Sequence, residues 1–268
     1  MVIEEMKNSN LKISIITVCR NAEHIIEKTI KSVLGQKYKN IEYIIVDGNS
    51  QDKTLDIVMR YAKGGKLKYI SETDGGIYDA MNKGIRIATG EYLQFLNAGD
   101  ALVNCDVITK VVGRIAETQA DIVYGNILYE YPDGSKNVRV YGQFCSKLFY
   151  YLSGDCINHQ AIFAAKRCLG GNGFNTTYRI CADREWMLRM KKSKRSFRAL
   201  NLLICSYSLD MESVSVKNHD IYKSEAERCI LENFRVGYSV FWLINKIREG
   251  KVSAGILHGL YKLVYIRK

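Results

Sequence analysis

Some aspartates of this sequence stand in turn sequences where a carboxylate can do chemistry. The turn at residues 97–100, Asn-Ala-Gly-Asp, directly follows an apolar stretch. A carboxylate such as Asp100 in that position can hold Mg²⁺ or Mn²⁺ while substrate phosphates fill the remaining coordination sites. Asp47 opens a similar turn at residues 47–50. Asp and Asn are also ordinary turn formers, so each turn alone is equally typical of a solvated loop.

Three other segments carry groups with two interpretations. Asp74 precedes two glycines at the predicted start of a helix, where backbone N–H groups favour a bound anion or a capping carboxylate. Asp183 and Glu185 are in the first turn of a predicted amphipathic helix. An acidic side chain there can act as a general base for a hydroxyl, or it can simply be a favourable charge at a helix N-terminus. The segment alone favours the second interpretation. A lone histidine such as His159 is more often a structural hydrogen-bond partner than a catalyst.

The first hundred residues alternate between apolar strands and amphipathic helices, which predicts a parallel α/β sheet with right-handed crossovers. In such sheets a ligand lies beyond the carboxyl ends of the strands. Four polar segments follow the four predicted strands, and we therefore expect them to meet at one edge of the sheet. These segments are residues 17–21, 47–50, 71–76 and 97–100.

Charge is distributed unevenly along the 268 residues, whose formal net charge is +11. Residues 136–210 carry 13 basic and 4 acidic side chains, and residues 211–268 carry 10 and 6. An anionic partner is therefore expected at the second half: nucleic acid, a phosphate-bearing substrate or an acidic membrane. The basic run at 189–198 includes only one aromatic residue, Phe197, which argues against nucleic acid.

Several protein classes are excluded by missing motifs. The sequence contains neither GxGxxG nor GxxxxGK[ST], so a dehydrogenase or a P-loop kinase is not indicated. Its eight cysteines include no CxxC pair, which argues against a zinc ribbon. The opening residues predict no export signal, and the longest apolar stretch is too short to span a bilayer. We expect a cytoplasmic protein with reduced cysteines.

Taken together and in order, four segments resemble family 2 glycosyltransferases of bacterial polysaccharide synthesis. The resemblance is strong from about residue 11 to 100 and continues in patches to about 216. It implies the α/β GT-A fold, with a Rossmann-like, mostly parallel central sheet flanked by helices, over residues 1–210, and a helical C-terminal extension over 211–268. It also implies a nucleotide-diphosphate sugar donor and inversion at the anomeric carbon. The segments are residues 13–22, 32–36, 45–54 and 71–84.

The resemblance assigns roles to individual residues. Asp183 matches the catalytic base of the family, although Ala182 replaces the usual Glu before it. Asn97 replaces the first acid of the metal-binding motif, which leaves Asp100 as the single predicted ligand for Mg²⁺ or Mn²⁺. The pair at 159–160, His-Gln, matches residues on the acceptor side, and Ser213-Val214-Ser215 resembles a motif that closes the site. Thr17, Arg20, Asn21 and Asp47 match positions that contact the nucleotide base and ribose, and Asp74 lies where the third loop of the family approaches the donor. Asn97 is the sixth residue predicted to bind the donor.

The implied reaction transfers a sugar to a hydroxyl of a saccharide acceptor in capsule, exopolysaccharide or O-antigen synthesis. The basic second half suits a polyprenyl-diphosphate-linked acceptor, and the segment Phe241–Ile244 suits a helix at the inner face of the cytoplasmic membrane. Two alternatives remain open: a nucleotidyltransferase that makes sugar nucleotides, and a non-enzymatic basic module that binds membranes or nucleic acid. No nucleic-acid partner is expected for the transferase.

Overall fold

A computed structural model describes residues 10–142, 156–171, 173–208 and 218–233. These ranges contain nine strands and six α-helices. In chain order the elements are β1 (Ile13–Cys19), α1 (Ile26–Leu34), β2 (Ile41–Asp47), α2 (Thr54–Ala62), β3 (Lys68–Ser71), α3 (Ile77–Ile87), β4 (Tyr92–Phe95), β5 (Ala101–Leu102), α4 (Val107–Thr118), β6 (Ile122–Glu130), β7 (Lys136–Arg139), β8 (Ile162–Ala165), α5 (Ala182–Lys192), β9 (Phe197–Ser208) and α6 (His219–Asn233).

All nine strands belong to one sheet with the order β3-β2-β1-β4-β8-β6-β9-β5, and β7 pairs with β6. The first four strands are parallel, as the sequence predicts. Strand β8 is antiparallel to both β4 and β6, and β9 is parallel to β6. Strands β6 and β9 therefore point the same way as β1–β4. We call the edge where these strands end the carboxyl edge.

The central strands are held by burial on both faces. Every residue of β1 is buried, and so are all but the first of β2. Their β-branched side chains suit a strand that is covered on both sides. Helix α3 places Ala80, Met81 and Ile85 in the same core. The core therefore fixes the directions of the strands whose ends carry the polar segments.

The opposite edge of the sheet is held by a buried carboxylate, Glu42. It accepts hydrogen bonds from the Ser14 hydroxyl at 2.6 Å, the Thr89 amide at 2.6 Å and the Lys68 ammonium at 2.9 Å. Burial by itself raises the pKa of Glu42, but these hydrogen bonds outweigh it and lower the pKa to about 2. The ionised side chain thereby joins β1, β2, β3 and the residues before β4.

Helix α6 lies within the predicted C-terminal extension, of which the structure describes only residues 218–233. The predicted boundary at 210/211, the Ser213–Ser215 motif and the segment Phe241–Ile244 lie outside the described residues. Of the helices in the described ranges, none has the length and apolar character needed to cross a membrane.

Candidate active site

The first three polar segments are tied together by Asp47 at the end of β2. Its side chain is fully buried and accepts hydrogen bonds from the hydroxyls of Ser50 and Ser71, the latter at 2.6 Å. The Cys19 thiol lies 3.8 Å from the same carboxylate. Burial, together with Asp47, raises the pKa of this thiol, so it stays protonated and donates. Asp47 therefore fixes the carboxyl ends of β1, β2 and β3 relative to one another.

The other residues predicted to contact the nucleotide differ in exposure. Thr17 is fully buried, and its hydroxyl lies 3.1 Å from that of Tyr43. Arg20 and Asn21 are exposed at the carboxyl edge, and Asn21 has a left-handed backbone with a φ of 51°. The Asn21 side-chain oxygen accepts a hydrogen bond from the Gln51 amide at 2.9 Å. Direct nucleotide contact by these residues stays a prediction. Arg20 and Asn21 directly follow β1 and lie beside the second polar segment, whereas Thr17 lies within β1 and is paired with Ile45 of β2.

The side chain of Asp74, in the third polar segment, lies against Gly48 in the second. One of its carboxylate oxygens accepts a hydrogen bond from the Gly76 amide at 3.1 Å. The other lies 2.5 Å from the position that a Cβ on Gly48 would occupy, and the Cβ of Arg20 lies 3.5 Å from that position. Only glycine at position 48 allows this approach. The predicted donor-side residues of three separate loops are thus brought together.

Asp100 lies deep in the fourth segment, with 4% of its surface exposed. The Gln160 side-chain amide donates to its carboxylate at 3.0 Å, and the Thr29 hydroxyl donates to its backbone carbonyl at 2.7 Å. Burial raises the pKa of Asp100 to about 7, although the Gln160 hydrogen bond and the nearby His159 oppose that rise. This desolvated carboxylate therefore has a strong electrostatic preference for a cation.

A line of hydrogen bonds joins Asn97 to Asp183 through His159. The Asn97 amide nitrogen lies 3.0 Å from His159 Nε2, and His159 Nδ1 lies 3.0 Å from Asp183 Oδ2. A neutral imidazole with its proton on Nδ1 satisfies both contacts, because Nε2 then accepts from the amide and Nδ1 donates to the carboxylate.

The reversed direction of β8 explains this juxtaposition. Residues 159–161 form a short 3₁₀ turn directly before β8. Because β8 is antiparallel to β4, its start lies beside the end of β4, where Asn97 follows. A parallel strand would have placed His159 at the other edge of the sheet.

Asp183 is held from its other side by α3. Its Oδ1 accepts hydrogen bonds from the Tyr78 hydroxyl at 3.1 Å and from the Arg184 amide at 2.7 Å. The Tyr78 hydroxyl shares its single proton between this carboxylate and the carbonyl oxygen of Ile180, which lies 2.5 Å away. Burial raises the pKa of Tyr78 well above its usual value, with Asp183 adding to the effect, so the hydroxyl stays a neutral donor. The Asp183 side chain remains 21% exposed.

His159 and Asp183 form the polar part of a small cavity whose other walls are apolar. Phe174 contacts three other aromatic rings, with ring centroids 5.1 Å from Phe95, 5.5 Å from Tyr78 and 6.1 Å from Trp186. Such tilted and edge-on contacts are favourable for aromatic rings. The apolar walls exclude water from one side of the Asp183 carboxylate. They consist of Leu93, Phe95, Ile162, Ala164, Leu169, Phe174, Trp186 and Met187.

A family model describes this architecture. Residues 14–181 match the glycosyl transferase family 2 model, which is more than half of the chain. The chain belongs to glycosyltransferase family 2. It is therefore a glycosyltransferase, as the resemblance of its sequence motifs implied, and its mixed α/β sheet has the GT-A fold.

Two glycosyltransferases with similar sequences are consistent with that assignment. A PGL/p-HBAD biosynthesis glycosyltransferase of Mycobacterium bovis is 34% identical over 200 residues, which cover 73% of this chain and 76% of the relative. Glycosyltransferase GlyA of Streptococcus pneumoniae is 31% identical over 116 residues, covering 43% of this chain and 16% of GlyA.

Two solved structures share the fold. TarS 1–349 of S. aureus in complex with UDP matches with a TM-score of 0.64 at 21% identity, covering 83% of this chain and 65% of that one. The mannosyltransferase PcManGT of Pyrobaculum calidifontis, in complex with GDP-Man and Mn²⁺, matches with a TM-score of 0.61 at 16% identity. This match covers 97% of this chain and 82% of PcManGT.

The residues of the transferase around Asp100 have the chemistry to supply part of the ligand set of a divalent cation. Within the described ranges, no three His, Cys, Asp or Glu side chains cluster closely enough to enclose a metal by themselves. Mg²⁺ is, however, commonly held by one or two carboxylates plus substrate phosphates. Among the described residues, the side-chain oxygens of Asn97 and Gln160 are buried without a hydrogen-bond partner. Oxygen atoms are the ligands that such cations prefer.

Two contributors to this site, Tyr78 and Asn82, are not predicted from the sequence. Tyr78 occurs in the predicted helix α3, but nothing in its spacing indicates a contact with a residue 105 positions away. The Asn82 side chain donates to the Phe174 carbonyl and accepts from the Phe174 amide, both at 2.8 Å. It thereby holds the backbone of Phe174, whose ring forms part of the cavity wall.

The basic run of α5 lies away from the transferase site. Asp183 is in the first turn of this 11-residue helix, and the basic residues of its last turn begin at Arg189, about 9 Å further along the axis. Arg195 lies 3.7 Å from Asp121, which precedes β6 at the edge opposite the carboxyl edge. This part of the basic charge therefore faces a different surface from the Asp183 carboxylate.

Proposed function

We propose that the transferase moves a sugar from a nucleotide-diphosphate donor to a hydroxyl of a saccharide acceptor with inversion. The observation that carries this proposal is the hydrogen-bonded line Asn97–His159–Asp183. It links the predicted cation-binding turn to the predicted base within one site. Donor and acceptor would then lie on the two sides of that line.

Asp183 acts as the base in the proposed reaction. Its partly exposed carboxylate takes the proton of the acceptor hydroxyl, and that oxygen attacks the anomeric carbon opposite the leaving nucleoside diphosphate. A carbon–oxygen bond to the acceptor forms as the bond to the diphosphate breaks, and the proton ends on Asp183. Tyr78 and His159 hold the two carboxylate oxygens in place during this step.

Asp100 and the neighbouring loops serve the donor. Asp100 would hold Mg²⁺ or Mn²⁺, and the cation when bound would neutralise charge on the leaving diphosphate. Asn97 lies in the same turn, and its backbone carbonyl accepts a hydrogen bond from the Asp100 amide at 3.1 Å. Arg20 and Asn21 would contact the base and ribose, and Asp74 would lie close to the donor at the same edge. Solved complexes of TarS with UDP-GlcNAc and of PcManGT with GDP-Man and Mn²⁺ support a donor of this class.

The acceptor and the location are further parts of the proposal. A saccharide linked to polyprenyl diphosphate, in a polysaccharide pathway, suits the positive charge of residues 136–268. The enzyme would work in the cytoplasm and contact the inner membrane face through basic residues of its second half. Membership of the family decides against a nucleotidyltransferase and against a non-enzymatic binding module.

A thermal-shift panel tests the donor. UDP-GlcNAc, GDP-Man and dTDP sugars are added with and without Mn²⁺, and the matching donor at 100 Kd is expected to raise Tm by roughly 5 °C or more. ATP serves as the control nucleotide. The proposal is rejected if no sugar nucleotide stabilises the protein more than ATP does.

Variants of His159 test the line itself. An asparagine amide lies near the position of Nδ1 and a glutamine amide near that of Nε2. His159→Asn therefore keeps the contact with Asp183, and His159→Gln keeps the contact with Asn97. Because misplacement of a base is costly, we expect His159→Ala to lower kcat about 10- to 100-fold, with His159→Asn recovering part of it and His159→Gln less.

The measurement is kcat and the donor KM for all three variants. Equal recovery by the Asn and Gln variants, or a loss confined to KM, would contradict positioning of Asp183 by His159.

A further inference from the structure

Helix α6 holds the segment that leads into Asp183. The Glu225 carboxylate accepts hydrogen bonds from three consecutive backbone amides: Arg179 at 2.6 Å, Ile180 at 2.8 Å and Cys181 at 2.9 Å. Glu225 is 9% exposed. Hydrogen bonds from amides to an ionised acceptor are stronger than neutral ones, so this contact restrains the backbone just before α5.

Other contacts of α6 fall on the same segment. The Tyr178 hydroxyl donates to Glu232 at 2.6 Å, and Arg228 donates to the Thr177 hydroxyl at 2.6 Å. The Cys229 thiol lies 3.6 Å from the Cys181 carbonyl oxygen. Residues 177–181 are therefore fixed by α6 along their whole length.

Ile180 connects the contacts made by α6 to the proposed base. Its N–H is bound by Glu225 from α6, and its carbonyl oxygen is bound by the Tyr78 hydroxyl from α3. The same Tyr78 hydroxyl contacts Asp183 three residues further along the chain. The backbone that carries Asp183 is thus held between α6 and α3.

We propose that Glu225 is a positioning residue for Asp183, so that α6 is part of the catalytic apparatus of the transferase. This inference rests on the proposed role of Asp183 as base. Glu225 touches no reacting atom; it sets the distance between the Asp183 carboxylate and the acceptor hydroxyl. In Glu225→Gln, one side-chain oxygen remains, and the amide that replaces the other faces backbone donors.

The test is a double-mutant cycle in the full chain. Glu225→Gln is expected to lower kcat about 10- to 100-fold with the donor KM almost unchanged, because a shift of the base acts on the chemical step. In an Asp183→Asn background the same change is expected to have almost no further effect on residual turnover, because there is no base left to position. Glu227→Gln, at a more exposed position two residues along α6, is the matched control and is expected to behave as the parent.

Each outcome bears on a different claim. If Asp183→Asn is inactive while Glu225→Gln matches the parent, or if the two losses multiply, positioning by Glu225 is overturned and the proposed function stands. If Asp183→Asn keeps full turnover, the proposed function itself fails. Should Glu225→Gln not fold, Glu225→Asp keeps the charge but withdraws it by one carbon–carbon bond, and the same cycle applies.

Discussion

Replacing Asp183 by asparagine is expected to lower kcat by about 10²- to 10⁴-fold, the usual contribution of a general base. Donor binding is expected to change by less than about twofold, since the group acts on the acceptor hydroxyl in the transition state. Initial rates with the donor found by thermal shift give kcat, and calorimetry gives the donor affinity.

The fold should tolerate this change because the surrounding hydrogen bonds can form again. The asparagine oxygen can accept from Tyr78 and from the Arg184 amide, as Asp183 does. Its amide can donate to His159 Nδ1 once the imidazole proton moves to Nε2. The Asn97 side-chain oxygen, which is buried without a partner among the described residues, can then turn to accept from Nε2.

Glu185 provides the matched control on the same helix. Its carboxylate lies 3.2 Å from Arg189 and is therefore committed to an ion pair within α5. Glu185→Gln is expected to affect turnover far less than Asp183→Asn. Full turnover in Asp183→Asn, or equal inactivity in both variants, would show that the base has been assigned to the wrong residue.

Asp100→Asn is expected to abolish the strengthening of nucleotide binding by Mn²⁺, a loss of about tenfold or more in affinity. The reason is that a neutral amide replaces the single predicted carboxylate ligand of the cation. Calorimetric titration of UDP and GDP, each with and without Mn²⁺, measures the difference directly. Binding of the nucleotide without metal is expected to change little.

Thermal denaturation of Asp100→Asn shows whether the loss of the Mn²⁺ effect is caused by misfolding of the variant. Burial raises the pKa of Asp100 to about 7, above its ordinary value of 3.8, so the folded state binds more protons than the unfolded state between these values. The contribution of Asp100 to stability therefore falls as pH rises through that window. At pH 8 the Asn variant is expected to melt no lower than the parent.

Asp106→Asn is the control for this variant, because Asp106 is an exposed carboxylate that pairs with Lys37 at 3.1 Å. It is expected to keep the full effect of Mn²⁺. An unchanged Mn²⁺ effect in Asp100→Asn would remove Asp100 from the cation site.

The amino-acid sequence by itself determined the first half of the fold. Buried β-branched runs alternate with amphipathic helices over residues 13–96, and each run is followed by a polar turn. Periodicity and turn residues are local signals, and parallel strands bring their carboxyl ends together by geometry. The meeting of Asp47, Asp74 and Asp100 at one edge was therefore predictable, and their roles could be stated only through the resemblance to the family.

The tertiary structure alone decided which groups touch Asp183. Tyr78, His159 and Glu225 reach it, or the segment before it, from helix α3, the turn before β8 and helix α6. These contacts depend on the reversal of β8 and on the packing of α3 and α6 against the segment before α5. Hydrophobic patterning specifies which face of a helix is buried, but not which distant polar group that face meets, because this depends on how the elements pack in three dimensions.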